Sequence, residues 1–415
     1  MKIVLLLSTL TFLIQAPTAN ADPKSWMFQK LQRDKLSKKA DSSDLSGYDS
    51  SRNLLTSGSF DQITDHFAAN PKALLTFKQR YFIDATFAEN KDSPVIYYIC
   101  GEGACEGASG TPEVDDIARK THAYRVALEH RYYGTSQPFA TLETKNLVYL
   151  SMSQAIEDLA TFQIHVQKSM GLSGKWISMG GSYAGELSAF YRLKHPELVA
   201  GALASSGPVL AKADFFEYDR HIARVAGPVC LKAIQKVVVD VEQRLKNPES
   251  AAQVKKMFNA VEYTNDVDFL YVVADMAAVA IQYGYEKNFC PPITQAATST
   301  KATEAYAKAG TNLLSEVFHM KPADDWVPGA VSTNPSDYPG VGMRSWLYQS
   351  CTEFGYYQTA NPNRKESSRS VKVSLAYHDQ MCERLFGITK PVDTAATNRT
   401  FYDQLFNSSV RNIFF

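Results

Sequence analysis

From Phe60 onward, short continuous apolar runs alternate with longer stretches whose apolar residues fall at helical spacing. Phe77-Lys-Gln-Arg-Tyr-Phe-Ile83 is rich in aromatics and predicts a strand. Pro94-Val-Ile-Tyr-Tyr-Ile-Cys100 is a continuous apolar run and Ala123-Tyr-Arg-Val-Ala-Leu128 another but for Arg125, the pattern of strands buried on both faces. Between Ser151 and Val166 the apolar residues Ala155, Leu159, Phe162 and Val166 share one helix face, and Ser151 with Gln154 reads as a capping box. Trp176-Ile-Ser-Met179 predicts a short strand and Tyr183–Lys194 a helix that stops before His195-Pro196, because proline disfavours the α conformation of the residue ahead of it. Leu198–Ala204 is the next predicted strand, ended by Ser205-Ser-Gly-Pro208. Strands and helices alternating at this spacing imply a mainly parallel sheet flanked by helices.

After about Asp214 the pattern turns helical. Leu231, Ile234, Val238, Val241 and Leu245 trace one stripe, and Asp268–Tyr283 and Thr300–Phe318 continue in the same manner. The segment Met320–Gly342 holds Asp324-Asp325, Trp326 and several prolines, and predicts an irregular connection. Trp346-Leu-Tyr-Gln-Ser-Cys-Thr352 reads as sheet again. The economical division is a first core segment 59–211, a helical cap insertion 212–342 and a second core segment 343–415.

The beginning of the chain bears on compartment. Met1-Lys2, an apolar stretch through Ile14, and Ala19-Asn20-Ala21 as a small-x-small cleavage site predict a signal peptide over 1–21. Its apolar stretch falls short of the ~20 residues a membrane span requires. Residues 22–58, rich in Ser, Asp and Lys, read as a polar leader. The chain is therefore expected to be secreted or periplasmic, or in a lysosomal-type compartment if the source is eukaryotic, with no membrane attachment after cleavage. Of its 415 residues 43 are Lys or Arg and 43 Asp or Glu, so no basic footprint points to nucleic acid. At 45% hydrophobic and 12% aromatic the chain is not disordered either. Six cysteines without a C-x-x-C pair argue against a zinc site, and no metal or cofactor is implied. Export permits disulfides, and the expected pairs are Cys351–Cys382, Cys230–Cys290 and, inside one loop, Cys100–Cys105.

Candidate chemistry centres on Trp176-Ile-Ser-Met-Gly180-Gly181-Ser182-Tyr183-Ala184-Gly185. A strand, a tight turn containing serine and a helix form a nucleophile elbow, where neighbouring residues must be small. Gly180 and Ala184 take the flanking small positions, with Gly181 and Gly185 giving further room. This geometry would project Ser182 Oγ above the sheet and aim the Tyr183 N–H at a substrate oxyanion. A second oxyanion donor is expected from the loop after an earlier strand; Cys100-Gly101-Glu102-Gly103-Ala104 lies at that place, with Gly101 as donor. Glu102 reads either as the partner of a substrate amine or as an ion pair with Arg131, and Glu353 invites the same two readings. Trp346, Tyr348 and Tyr357 read either as the lining of an apolar proline pocket or as core. His130 precedes Ser182 and is read as a structural histidine.

These residues also carry a resemblance. Gly-Gly-Ser-Tyr-Ala-Gly185, the Gly101-Glu-Gly103 after a Tyr-rich strand, Glu129-His-Arg-Tyr-Tyr-Gly134, Gln154-Ala-Ile-Glu-Asp158 and Gln349-Ser-Cys-Thr-Glu-Phe354 resemble the prolylcarboxypeptidase and dipeptidyl peptidase II family of serine exopeptidases. Phe60-Asp-Gln-Ile-Thr-Asp-His-Phe67 and Thr76-Phe-Lys-Gln-Arg-Tyr-Phe82 match as well, so the likeness covers roughly 58–390. It implies an α/β-hydrolase core with an inserted helical cap, Ser182 as nucleophile, and peptide substrates cut next to proline or another small residue. It does not distinguish removal of a dipeptide from carboxypeptidase action, and the oligomeric state stays open. The family's later aspartate and histidine stretches have no counterpart here. His195, His221, His319 and His378 follow Ser182, and none has the expected context, so the triad Asp and His are not found. The resemblance thus implies a C-terminal end of the core about 60–100 residues short, and residues 1–415 alone are expected to be poorly soluble and inactive. The alternatives are a non-catalytic hydrolase-fold protein that binds peptides or partners and, behind it, a lipase or esterase.

Overall fold

The computed structural model describes residues 54–69, 75–296, 298–317, 319–324 and 326–415; the expected signal peptide and all but the end of the polar leader lie outside them. Seven strands form one sheet in the order β1-β2-β4-β3-β5-β6-β9. Strand β1 (Leu55–Ile63) runs antiparallel to β2 (Thr76–Asp84), and β2 antiparallel to β4 (Tyr124–Leu128). The remaining pairs, β4 with β3 (Val95–Ile99), β3 with β5 (Trp176–Gly181), β5 with β6 (Gly201–Ser205) and β6 with β9 (Ile413–Phe414), are parallel. Strand β1 opens at Leu55, so the last residues of the stretch read as leader are sheet.

The continuous apolar run of β3 is explained by what lies on either side. Val95, Tyr97 and Ile99 face helices α2 (Met152–Met170) and α3 (Tyr183–Lys194), while Ile96 and Tyr98 share a core with Val114 and Ala118 of α1 (Pro112–Thr121). Both faces of the sheet are covered, as a mainly parallel sheet requires. Helix α2 starts as expected, with Ser151 Oγ accepting from the Gln154 N–H. The Gln154 side chain does not reach back to complete the capping box; it bonds Asp65 and the His66 N–H instead.

Beyond β6, β7 (Lys212–Asp214) leads into the helical layer: α4 (Phe216–Arg244), α5 (Pro248–Met257), α6 (Asp266–Gln282), α7 (Glu286–Thr294) and α8 (Ser299–Asn312). Helix α4 is broken at Gly227, whose φ of 73° precedes Pro228. Ile234, Val237, Val241, Phe269, Val273 and Tyr306 are fully buried in the core these helices share, and Cys230–Cys290 ties α4 to α7.

The chain between Met320 and Gly342 is irregular apart from the single-turn α9 (Trp326–Gly329). The sequence then departs from expectation. Trp346–Thr352 is not sheet: Met343–Gln349 forms helix α10, continued by a π-helical turn over Ser350–Phe354, before the short β8 (Gly355–Tyr357) pairs with β7. Helix α11 (Leu375–Phe386), linked by Cys351–Cys382, adds Tyr377, Met381 and Phe386 to the helical core, which therefore continues well past residue 342. The return to the sheet is made by α12 (Thr394–Thr400) and α13 (Tyr402–Asn407). Phe401 stacks on Phe190 of α3 at 4.7 Å, and Asn398 bonds the backbone of Ala211 in both directions. The strand order, the antiparallel β2 and the helices on both faces make this an α/β-hydrolase fold.

Candidate active site

Ser182 joins β5 to α3 with φ 57° and ψ −129°. A non-glycine residue in that region stores about 1–3 kcal/mol, and it persists only where its surroundings over-determine it. Here the Ser182 N–H donates to Ser205 O at 2.9 Å on the neighbouring strand, while Ser182 O accepts from the Glu186 N–H at 3.0 Å. A Cβ on Gly180 would run into the backbone carbonyl of Ala184, and one on Gly185 would stand 2.8 Å from Ser205 O. Those two glycines are the cramped positions. Gly181 is not, since its nearest neighbour would be Ser205 O at 4.0 Å.

The Gly101 loop follows β3 and packs beside the elbow. A Cβ on Gly101 would meet Ala184 Cβ at 3.4 Å, so the loop lies against the opening turn of α3. Cys100–Cys105 closes that loop, and the Gly342 N–H donates to Glu102 O at 3.0 Å. The Tyr183 side chain points away, into a chain of hydrogen bonds behind the elbow. Tyr133 Oη donates to Gln349 Oε1 (2.6 Å), Gln349 Nε2 donates to Tyr183 Oη (2.7 Å), and Tyr183 Oη reaches His130 Nε2 at 3.0 Å. His130 Nδ1 lies 2.7 Å from Arg131 O, a carbonyl that can only accept. The proton therefore sits on Nδ1, and Nε2 accepts from Tyr183. Burial pushes His130 down to about 4, so it is neutral and structural, in agreement with the sequence reading.

The neighbouring motif residues lock the same corner. Arg131, fully buried, forks onto Asp158 at 2.6 and 2.7 Å and donates to Ile63 O, Thr64 O and Tyr149 O. Burial alone would raise Asp158, but the charge and hydrogen bonds of Arg131, with His66 beside it, hold it below the usual carboxylate range. Arg131 is thus not the partner of Glu102. Glu353 does not line the cavity: both its oxygens accept the Met152 N–H at 3.0 Å, at the start of α2. Burial pushes it up to about 7.

Above the elbow, sheet and helical layer enclose a cavity of about 650 Å³. Ser182, Gly180 and Gly181 line it, as do Glu102 and Trp346 from the sequence-derived candidates. Tyr348 and Tyr357 do not; they pack on Phe386 and against His378. Burial pushes Glu102 up to about 7. From the helical layer come Tyr271, Asp275, Val279 and Gln282, a single face of α6, together with Tyr218 and Gln358. The sequence reading misses these. An acid on an apolar helix was the only available signal. Glu186, in the first turn of α3, is also missed: it is buried, raised well above the ordinary carboxylate value by burial, and accepts from Tyr356 Oη at 3.2 Å.

Among the described residues no histidine lines this cavity. His195 ends α3 between Glu157 and Glu197, and His221 is exposed beside Arg224. His319 is exposed and bonds Ser315 O. His378 is enclosed by Tyr271, Trp326, Tyr357 and Tyr377, and burial pushes it down to about 3. No group of three or more His, Cys, Asp or Glu side chains among the described residues is placed to hold a metal ion.

A strained serine between a parallel strand and a helix, facing a cavity, has the geometry of a nucleophile elbow on an α/β-hydrolase fold. The chain matches the family model described as Serine carboxypeptidase S28 over residues 62–415 and belongs to that family; it is a serine peptidase. It is 37% identical to Probable serine protease EDA2 of Arabidopsis thaliana over 356 residues, 82% of this chain and 70% of the relative. It is 30% identical over 362 residues to the thymus-specific serine protease of Mus musculus (80% and 70% covered). Against the lysosomal Pro-X carboxypeptidase of Mus musculus the figure is 28% over 323 residues (71% and 64%). The three disulfides fit an extracytoplasmic compartment, and no helix among the described residues is long and apolar enough to cross a membrane.

Proposed function

We propose that this protein is a secreted or otherwise extracytoplasmic exopeptidase that cuts peptides next to proline or a small residue through an acyl-enzyme on Ser182. The observation that carries the reading is Ser182 itself, held at φ 57° at the floor of the cavity. Ser182 Oγ would attack the scissile carbonyl, and the Tyr183 and Gly101 N–H groups would receive the developing oxyanion. Collapse of that intermediate expels the amine and leaves an ester on Ser182, which water then hydrolyses. Met179, Leu203, Met343 and Trp346 give the cavity the apolar lining that a prolyl ring requires. The name of the lysosomal Pro-X carboxypeptidase supports both the residue preference and the compartment.

The proton leaving Ser182 needs an acceptor, and no described residue is assigned that role; the alternative reading, a non-catalytic peptide-binding protein, draws on the same observation. Added imidazole is small enough to enter the cavity and can stand in as base. With imidazole present, the chain is expected to hydrolyse an alanyl-prolyl chromogenic amide in a reaction that Ser182→Ala abolishes. A binding-only protein gives no Ser182-dependent turnover.

A further inference from the structure

The acidic and basic side chains lining the cavity are all of one kind. Among the described residues they are Glu102 from the Gly101 loop, Glu113 from the first turn of α1 and Asp275 from α6, with no lysine, arginine or histidine. Those acids come from three separate elements, two on the sheet side and one on the helical layer, so the acidic character is a property of the whole chamber rather than of one loop. One cation lies behind the wall. The Arg369 guanidinium is fully buried, 5.5 and 5.4 Å from the centroids of Tyr218 and Tyr271, and bonds Gln358 O and Oε1 at 2.9 and 2.8 Å. It pairs with Asp275 at 3.9 Å, and unlike the two tyrosines it does not line the chamber. Arg369 therefore steadies the wall and is not offered to a ligand.

An exopeptidase must bind a chain end, and the two ends differ in charge. A peptide carboxylate entering this chamber would give up its hydration to meet acidic groups, with no cation to replace the water. A peptide ammonium would meet carboxylates from two sides. Like-charge exclusion of one end is as effective a selector as attraction of the other. We propose that the cavity takes the free amino terminus of its peptide, with Glu102 and Asp275 as the specificity-determining residues, so that cleavage releases a short amino-terminal fragment rather than a carboxy-terminal residue. This deepens the peptidase reading, resting on the same cavity as the peptide site, and assigns this member a polarity opposite to that in the family's descriptive name.

The test is binding to the full chain carrying Ser182→Ala, which removes turnover. Two ligands share the same side chains: alanyl-proline amide, with a free amine and no carboxylate, and N-acetyl-alanyl-proline, with a blocked amine and a free carboxylate. Calorimetry is expected to show the amine ligand binding about tenfold tighter or more. Glu102→Gln and Asp275→Asn, both isosteric, should each shrink that ratio several-fold, Glu102→Gln leaving the melting temperature near that of the parent and Asp275→Asn lowering it through the lost partner of Arg369. Equal or tighter binding of the acetylated acid overturns the proposal, as does failure of both ligands to bind, and neither result depends on the variants folding. Retained amine preference in a protein whose Ser182 never reacts with a phosphonate would reject catalysis and leave the recognition standing.

Discussion

At the scale of single residues, the elbow distinguishes two adjacent glycines that look equivalent in sequence. A methyl group on Gly180 meets the Ala184 carbonyl, whereas one on Gly181 comes no nearer than an ordinary 4.0 Å contact with Ser205 O. Gly180→Ala should therefore cost about 1–3 kcal/mol of stability through overpacking, and Gly181→Ala much less; urea denaturation of the two variants side by side checks the difference. His195 offers a pH-dependent counterpart. Its hydrogen bond to Glu157, with Glu197 beside it, raises the imidazole above its ordinary value, while the His195 bond lowers Glu157. The histidine's contribution is complete below its unfolded pKa of ~6.5 and fades as pH rises through the raised folded value. The glutamate's is complete above ~4.3 and fades as pH falls through the depressed one. His195→Gln should thus lose most melting temperature between about pH 4.5 and 6.5, and a deficit that is the same from pH 3 to 9 would show the pair contributes nothing.

At the scale of elements, Arg131 gathers the end of β1, the loop before α2 and α2 itself around one buried ion pair. Arg131→Met leaves Asp158 buried without its guanidinium partner, with His66 Nε2 at 2.8 Å, and should cost about 3–5 kcal/mol. The double variant Arg131→Met/Asp158→Leu should recover a good part of that loss, which equilibrium unfolding would measure. Elements also show where sequence alone is sufficient. The helix from Tyr183 to Lys194 is read to the residue because the glycines before it and His195-Pro196 after it leave no other conformation. Strand β3 is legible because only a strand covered on both faces tolerates an unbroken apolar run of five, and β4 because its run is broken only by Arg125, which is paired with Asp84 and Asp115. Trp346–Thr352 misleads because a short run of aromatics suits either period; the decisive spacing, Met343, Leu347, Cys351 and Phe354, spans its edges. Asp275 is illegible for a different reason. Nothing local marks which side of α6 will face a cavity, since the sheet wall opposite is built from residues between Tyr98 and Ser206, far earlier in the chain.

At the scale of the molecule, the site exists only where two bodies of structure meet. The sheet supplies Ser182, Glu102 and the Gly101 loop, and the helical layer supplies the facing wall of the cavity. The helical layer is held by Cys230–Cys290, whose removal by paired serine substitutions should cost about 2–5 kcal/mol and weaken peptide binding before it disturbs the sheet. Near-ultraviolet dichroism recorded beside ligand titrations would follow both effects. The central claim, however, is that Ser182 is a poised nucleophile, and reaction with a fluorophosphonate, mapped by mass spectrometry, tests it most directly. In the presence of imidazole the account predicts one adduct, on Ser182, and none in Ser182→Ala. An adduct on any other serine, or an unmodified Ser182 after prolonged exposure, would contradict it.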